Sequence, residues 1–331
     1  MSDVDSRALR AALAPFQQPA TARSLWELAA TAAPLLALWA TLYVCVARGW
    51  WWGLALVAPT AAFLVRLFMI QHDCGHQAFF RSPRANAWLG RAIGVLTMTP
   101  YDYWRRTHAI HHATSGDLDR RGLGAIELLT VAEYRALPWV RRLGYRIYRH
   151  PLVLLGVGPA YMFLLQHRLP IGALREAWGW RSVLATNLGL GALAAVLLPF
   201  TGLRVLLVAH LPVVALAATV GVWLFYLQHQ FEGSRWRRHG AWTAASAAVD
   251  GSSYLRLPQP WRWLTANIGV HHVHHLCSTI PYYRMPEVLR SHPELKAASR
   301  LGLRESFRLP SLALWNEDSR RMISFAEARA A

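Results

Sequence analysis

The stretch LWELAATAAPLLALWATLYVCVARGWWWGLALVAPTAAFLVRLFMIQHDCGH (residues 25–76) ties the fold of this chain to its chemistry. Two apolar runs, Leu25–Val46 and Trp50–Ile70, each supply the about 20 residues a helix needs to cross a bilayer core, and only Ala47–Arg48–Gly49 separates them. Glu27 stands near the entrance of the first. The second run leads directly into HDCGH, where His72 and His76 are four residues apart and so share one face of a helix. Further along, Ser182–Phe200 and Leu203–Gln228 make a second such pair around Thr201–Gly202. The run 151–165, broken by Gly156, Gly158 and Pro159, is too short to span and reads as a helix lying in the membrane interface.

Composition excludes an ordinary soluble domain. Of the 331 residues, 54% are hydrophobic and 16% charged, where a soluble domain carries roughly 25% charged residues. The net charge is +17, almost all of its cations are arginine, and Lys296 is the single lysine. Each hairpin turn holds one arginine, Arg48 and Arg204, whereas residues 71–182 hold 15 and the chain after residue 228 holds 14 Lys or Arg. That asymmetry places the N-terminus and both polar segments in the cytoplasm. A pI near 10.9 also flags nucleic-acid binding. Juxtamembrane arginines facing anionic lipid account for the charge, so membrane lipids and no nucleic acid are the expected partners. The same basic surface suits an acidic electron-transfer or carrier protein.

The expected architecture is an all-α integral membrane protein of the inner (cytoplasmic) membrane. Four transmembrane helices form two hairpins, and a cytoplasmic helical cap holds a di-metal site. One domain covers 1–331: a cytoplasmic N-terminal segment (1–24), the first hairpin (25–70), a cytoplasmic segment (71–182), the second hairpin (182–228) and a cytoplasmic C-terminal segment (229–331). Asp3, Asp5 and the lack of a small-residue cleavage site argue against a signal peptide. Residues 1–24 and the tail after about Arg308 are expected to be loosely held. Cys45, Cys74 and Cys277 are scattered without a CxxC pair, so neither a disulfide framework nor a thiolate metal site is indicated.

The histidines carry the chemistry. His108, His111 and His112 in HAIHH, and His271, His274 and His275 in HHVHH, repeat one H-x-x-H-H spacing that lines a helix face. With His72, His76 and the solitary His229 of YLQHQFE they make nine candidate ligands. His272 is set aside because the repeat of the second box selects its three neighbours. His150, His167, His210, His239 and His292 are isolated and read as hydrogen-bonded residues. Nine imidazoles packed together without metal would be buried polar groups that repel once protonated. A single zinc takes three or four ligands, so nine suffice for two ions. Imidazole suits iron, zinc and copper alike; two irons fit oxidative chemistry and two zincs hydrolysis. Asp73, Asp102, Asp117, Asp119 and Glu232 lie near the boxes and are candidates to orient the ligands from behind. Arg105, Arg106, Arg120, Arg121 and Arg235 are equally near as ion-pair partners. Cys74 points to the face opposite His72 and His76 and is not counted as a ligand.

Between about Leu25 and Pro286 the chain resembles the integral-membrane fatty acid desaturase family. The resemblance lies in HDCGHQAFF (72–80), PYDYWRRTHAIHHATSGDLDRRG (100–122), TVAEY (130–134), YLQHQFE (226–232) and HHVHHLCSTIPYYRMPE (271–287). Within the family, HHATSGDLDRRG followed by TVAEY is most similar to the acyl-lipid delta-12 (omega-6) branch. His272 departs from the family's pattern, which more often has an apolar residue there. The resemblance implies a di-iron centre on the nine histidines and dioxygen as co-substrate. It also implies two electrons from a separate donor of the ferredoxin type, and removal of two hydrogens from adjacent methylenes. The acyl group could be lipid-, carrier-protein- or coenzyme A-linked. A hydroxylase, ketolase or acetylenase on the same scaffold is the alternative. A metal transporter would need histidines at bilayer depth, where only His210 lies. An acyl chain entering from the bilayer would need an apolar tunnel, for which Tyr101, Tyr103, Trp104, Trp223 and Tyr226 are candidates.

Overall fold

The computed structural model describes residues 3–297 and 299–330. After α1 (Asp3–Leu13), α2 (Thr21–Ala47) and α3 (Val57–Gly75) run against each other. Between them Arg48 ends α2 by donating to the Val44 carbonyl, and a 3-10 turn covers Trp51–Leu56. Then follow α4 (Pro83–Leu96), α5 (Tyr101–Thr114), α6 (Val131–Ala136), α7 (Trp139–Tyr148) and α8 (Gly158–Leu164). The longest element is α9 (Ala177–His229), and α10 (Ala244–Asp250), α11 (Trp261–Leu264) and α12 (His271–Leu276) lead to the tail.

Among the described residues, three helices are long and apolar enough to cross a membrane: Thr21–Ala47, Trp51–Gly75 with its entry turn, and Ala177–His229. The last has 53 residues, and unbroken it would reach about 80 Å, more than twice the hydrocarbon thickness. It is broken at Gly202, whose φ of 73° and ψ of 160° are open to glycine and costly for other residues. The break falls on the Thr201–Gly202 turn expected from the sequence. A common core joins Leu35, Trp39 and Leu42 of α2 to Leu64, Leu67 and Ile70 of α3 and to Ala209, Val213 and Leu224 of α9.

The polar segments are stitched by local signals. Ser82 caps α4 by accepting from Ala85 N at 3.3 Å, with Pro83 in the first turn. The TVAEY motif is a capping box: Glu133 N donates to Thr130 Oγ1 and Thr130 N donates to the Glu133 carboxylate. Where an interfacial helix is expected over 151–165, a π-helical turn at Val153–Val157 continues into α8, leaving Leu152, Val157, Tyr161 and Leu165 exposed. In α7, Trp139, Val140, Leu143 and Ile147 also form an exposed apolar stripe.

The tail is not loose. β1 (Leu129–Thr130) pairs in parallel with β4 (Leu312–Asn316), which pairs antiparallel with β5 (Arg321–Ser324). Leu314, Trp315 and Met322 are buried there. β2 (Tyr254–Arg256) and β3 (Arg300–Gly302) form a separate parallel pair. At the N-terminal end, Leu13 is fully buried against Val273 and Val288 in a second core. Among the described residues, both segments expected to be loosely held are thus packed, because apolar residues such as Leu13 and Leu314 find partners far away in sequence; residues 1, 2 and 331 lie outside the described residues.

Arg149 fastens the tail to the helices. Fully buried, it donates to the carbonyls of Glu127 (2.7 Å) and Leu312 (2.9 Å), to Tyr226 Oη (3.0 Å) and to Gln230 Oε1 (2.6 Å). Replacing it with methionine strips several buried acceptors of their donor, each a loss of about 1–3 kcal/mol offset by the desolvation that the charge no longer costs. Arg149→Met is therefore expected to lower stability by about 2–4 kcal/mol, read as a lower melting temperature in detergent. A wild-type melting temperature would show that these bonds contribute nothing.

Candidate metal centre

Four helices bring the nine predicted histidines together. His72 lies in the last turn of α3 and His76 follows that helix at its cap. α5 presents His108, His111 and His112, α9 ends on His229, and α12 carries His271, His274 and His275. They separate into two groups: His72, His76, His108, His112 and His274, and His111, His229, His271 and His275, with the ligating nitrogens of each group within 4.8 Å of one another. The two groups abut, the His112 and His275 rings being stacked at 4.1 Å.

The spacing within each group fits a metal. In the first, Nε2 of His108 is 3.0 Å from Nε2 of both His72 and His76 and 3.1 Å from that of His112. His274 Nε2 lies 3.1 Å from His112 Nε2. In the second, His229 Nε2 is 3.1 Å from His111 Nε2 and 2.9 Å from His271 Nε2, which is 3.1 Å from His275 Nε2. Imidazole donors at about 2.0–2.1 Å from one ion, at bond angles between octahedral and tetrahedral, are separated by about 2.9–3.4 Å. A ring that shares a proton with one neighbour cannot do so with three converging ones, whereas a cation satisfies all their lone pairs.

The surroundings favour the neutral form, which binds metal, in the rings of α5 and α12. Burial, then the neighbouring imidazoles, hold His108, His111, His271, His274 and His275 well below the ordinary histidine range. The same causes push His112 down to about 3. His272 is turned away: it is fully buried, and its Nε2 bonds to the Leu295 carbonyl at 2.9 Å. Burial lowers it to about 4. Cys74 is buried in the apolar core, outside both groups.

Of the five carboxylates proposed to orient ligands, only Asp73 is placed beside one, with Oδ1 3.5 Å from His72 Nδ1. Asp102 binds Arg91 at 2.8 Å, Asp117 binds Arg120 at 2.6 Å and His239 at 2.8 Å, and Asp119 binds Arg238 at 2.8 Å. Glu232 is exposed and lies 3.5 Å from Arg321. Ser115, which the sequence did not single out, stands 3.3 Å from His229 Nδ1.

Both groups border one apolar cavity of about 430 Å³, within the range of small-molecule sites. His72, His108 and His271 form part of its wall, and Leu64, Phe68, Phe163, Ala218 and Phe225 form much of the rest. Of the aromatic residues expected to line a tunnel, Tyr103 and Trp104 do so. Tyr226 instead joins Arg149, and Trp223 stacks on Phe307. Trp104 also stacks on His108, with ring centroids 4.7 Å apart. Its indole lies against Gly75, where an added Cβ would come within 2.9 Å of the ring.

The sequence that builds these two groups is similar to those of known proteins. The family model described as Fatty acid desaturase covers residues 48–307. The chain belongs to the fatty acid desaturase family. A fatty acid desaturase of Bacillus subtilis (strain 168) is 41% identical over 313 residues, 95% of this chain and 89% of the relative. An sn-1 acyl-lipid omega-3 desaturase (ferredoxin) of Synechocystis is 28% identical over 66% of this chain and 61% of its own length. An sn-1 oleoyl-lipid 12-desaturase of the same organism is 26% identical over 73% of this chain and 67% of its own length. This desaturase is accordingly an oxidoreductase of lipid metabolism.

The depressed histidines make stability depend on pH. In the unfolded chain a histidine protonates near about 6.5, whereas His112 in the fold stays neutral down to about 3. Between those values the unfolded chain binds more protons, so stability rises with pH and is lost progressively as pH falls below about 6.5. The metal-stripped protein is expected to melt several degrees lower near pH 5.5 than near pH 7.5. An unchanged or higher melting temperature in acid would contradict the buried, neutral cluster.

Proposed function

We propose that this desaturase uses dioxygen to place a cis double bond in a fatty acyl chain, of the delta-12/omega-6 kind, at a di-iron centre. One iron is held by His72, His76, His108, His112 and His274, the other by His111, His229, His271 and His275. The observation that carries this reading is that both histidine groups face the same apolar cavity, through His72 and His108 from one and His271 from the other. When bound, the irons supply the activation of dioxygen with two electrons from outside the protein.

The chain's own part is positioning and protection. Its apolar wall takes an acyl chain and keeps water away from the histidines. The length of cavity beyond His72, His108 and His271 selects which methylenes lie opposite them. Trp104, flat against His108, fixes that ring on the cavity side. Asp73 stands behind His72 as the group that orients it.

Two relatives named as acyl-lipid desaturases, one with ferredoxin in its name, support a lipid-linked acyl substrate and a ferredoxin-type donor. The break at Gly202 supports reading α9 as two crossings, so that with α2 and α3 the chain makes two hairpins. The arginine-rich polar segments support a metal site on the cytoplasmic side of the inner membrane, with α7 and α8 resting their exposed apolar faces on the bilayer interface.

Expression in a host that lacks polyunsaturated lipids tests the proposal. The expected product is a lipid acyl chain two hydrogens lighter, its new double bond located by mass spectrometry. A product that gains oxygen would instead identify a hydroxylase or ketolase. His111→Ala is expected to lower product more than about 100-fold while the protein still inserts and accumulates, since it removes a metal ligand outright. Full activity in that variant would remove His111 from the centre.

A further inference from the structure

Arg66 is a charge in an apolar helix, two turns before His72. It lies in α3 among Leu64, Val65, Leu67 and Met69, and its side chain is 1% exposed. Ionisable groups in such a setting are costly and call for partners. Arg66 has partners for its whole fork. Nε donates to Thr31 Oγ1 at 3.1 Å, Nη1 to the Trp263 carbonyl, and Nη2 to Glu27 Oε2, with Tyr282 Oη 3.5 Å away. The guanidinium also lies over the Trp263 ring, 3.8 Å from its centroid. Glu27 is equally buried and takes Arg23 on its other oxygen at 2.7 Å, while Tyr282 Oη donates to Glu27 Oε2 at 3.1 Å. From Tyr282 the network reaches the metal site: its backbone N donates to Asp73 Oδ2 at 2.7 Å, and Asp73 Oδ1 stands 3.5 Å from His72 Nδ1.

The partners fall on both sides of the third histidine box. Trp263 precedes His271 and Tyr282 follows His275, so one guanidinium holds both flanks of α12 against α3. α12 has only six residues, too short to be a stable helix by itself. It nevertheless supplies His274 to one histidine group and His271 and His275 to the other. A small shift of α12 along α3 would alter both groups at once.

We propose that Arg66, held in place by Glu27, is a positioning residue for the metal centre, setting the register of the third histidine box against the first. This rests on the reading that the two histidine groups bind the irons that perform the oxidation. Arginine is required because only its planar fork reaches Thr31, Trp263 and Glu27 together; lysine keeps the charge and loses the geometry.

The test uses the full-length protein in detergent or lipid, loaded with ferrous iron. The variants are Arg66→Lys, Glu27→Gln and Tyr282→Phe. Wild type should bind two irons per chain and give product. If it does not, the reading of the site fails before the clamp is examined. If it does, Arg66→Lys should still bind iron but show an altered Mössbauer spectrum and X-ray absorption pattern. Less double bond should form per dioxygen consumed, by at least threefold, with kcat reduced and KM little changed. Tyr282→Phe, which removes a single hydroxyl, should shift the same spectra in a protein that folds normally, and it carries the test if Arg66→Lys does not accumulate. Wild-type spectra and coupling in Tyr282→Phe, together with Arg66→Lys if it folds, would overturn the proposal. So would variants that lose only thermal stability.

Discussion

Nine imidazoles are aimed at one another from four helices, with neighbouring nitrogens as close as 2.9–3.1 Å. In water each ring would have its own hydrogen-bond partner; here burial has removed the water and left the lone pairs facing each other. Protonation offers no way out, because a second charge a few ångströms off is worse than the first. A bound cation reverses the sign of every one of these contacts. Metal binding would therefore stabilise the closed α3–α5–α9–α12 interface, and the remaining structure holds the donors facing one another.

The placing of the ligands at helix ends follows from that constraint. α3 and α9 deliver His72, His76 and His229 where their apolar runs stop. An imidazole there lies between a dry helical core and the polar segments, with apolar side chains on one side and hydrogen-bonding groups on the other. The cavity lies on the dry side, between α3 and α9, with the 122–126 loop closing part of its wall.

How much of this was legible in the sequence depended on whether the signal was local. Histidine spacing is local: steps of three and four residues on a helix bring eight of the nine candidate histidines onto inward faces, His229 standing alone, and the same register turns His272 away from both groups to the Leu295 carbonyl. The Gly202 break was equally local. The carboxylates were not. Asp102 finds Arg91, Asp119 finds Arg238 and Glu232 finds Arg321, and no reading of neighbours in sequence ranks those partners above a histidine. The β1–β4 pairing was missed because the two strands lie more than 180 residues apart. Arg66 was hidden in the opposite way, as one charge inside a run whose average is apolar.

Arg66 and Arg149 show what a buried arginine contributes that an apolar residue does not. Replacing a buried ion pair by well-packed apolar side chains is often neutral or stabilising, so stability alone does not explain the Arg66–Glu27 pair. Both arginines sit beside a ligand-bearing helix end: Arg66 before His72, and Arg149 on Tyr226 and Gln230, which flank His229. Arg66 has a carboxylate, Glu27; Arg149 has none among its described partners, its two terminal nitrogens donating to carbonyl, phenol and amide oxygens while Nε has no partner. What they share is a rigid fork of five donors that fixes several backbone segments in one plane. An apolar side chain fills space but tolerates sliding, and a lysine holds one partner at a time. For a centre whose donors come from four helices and must converge to within tenths of an ångström, the directional constraint is worth the desolvation it costs.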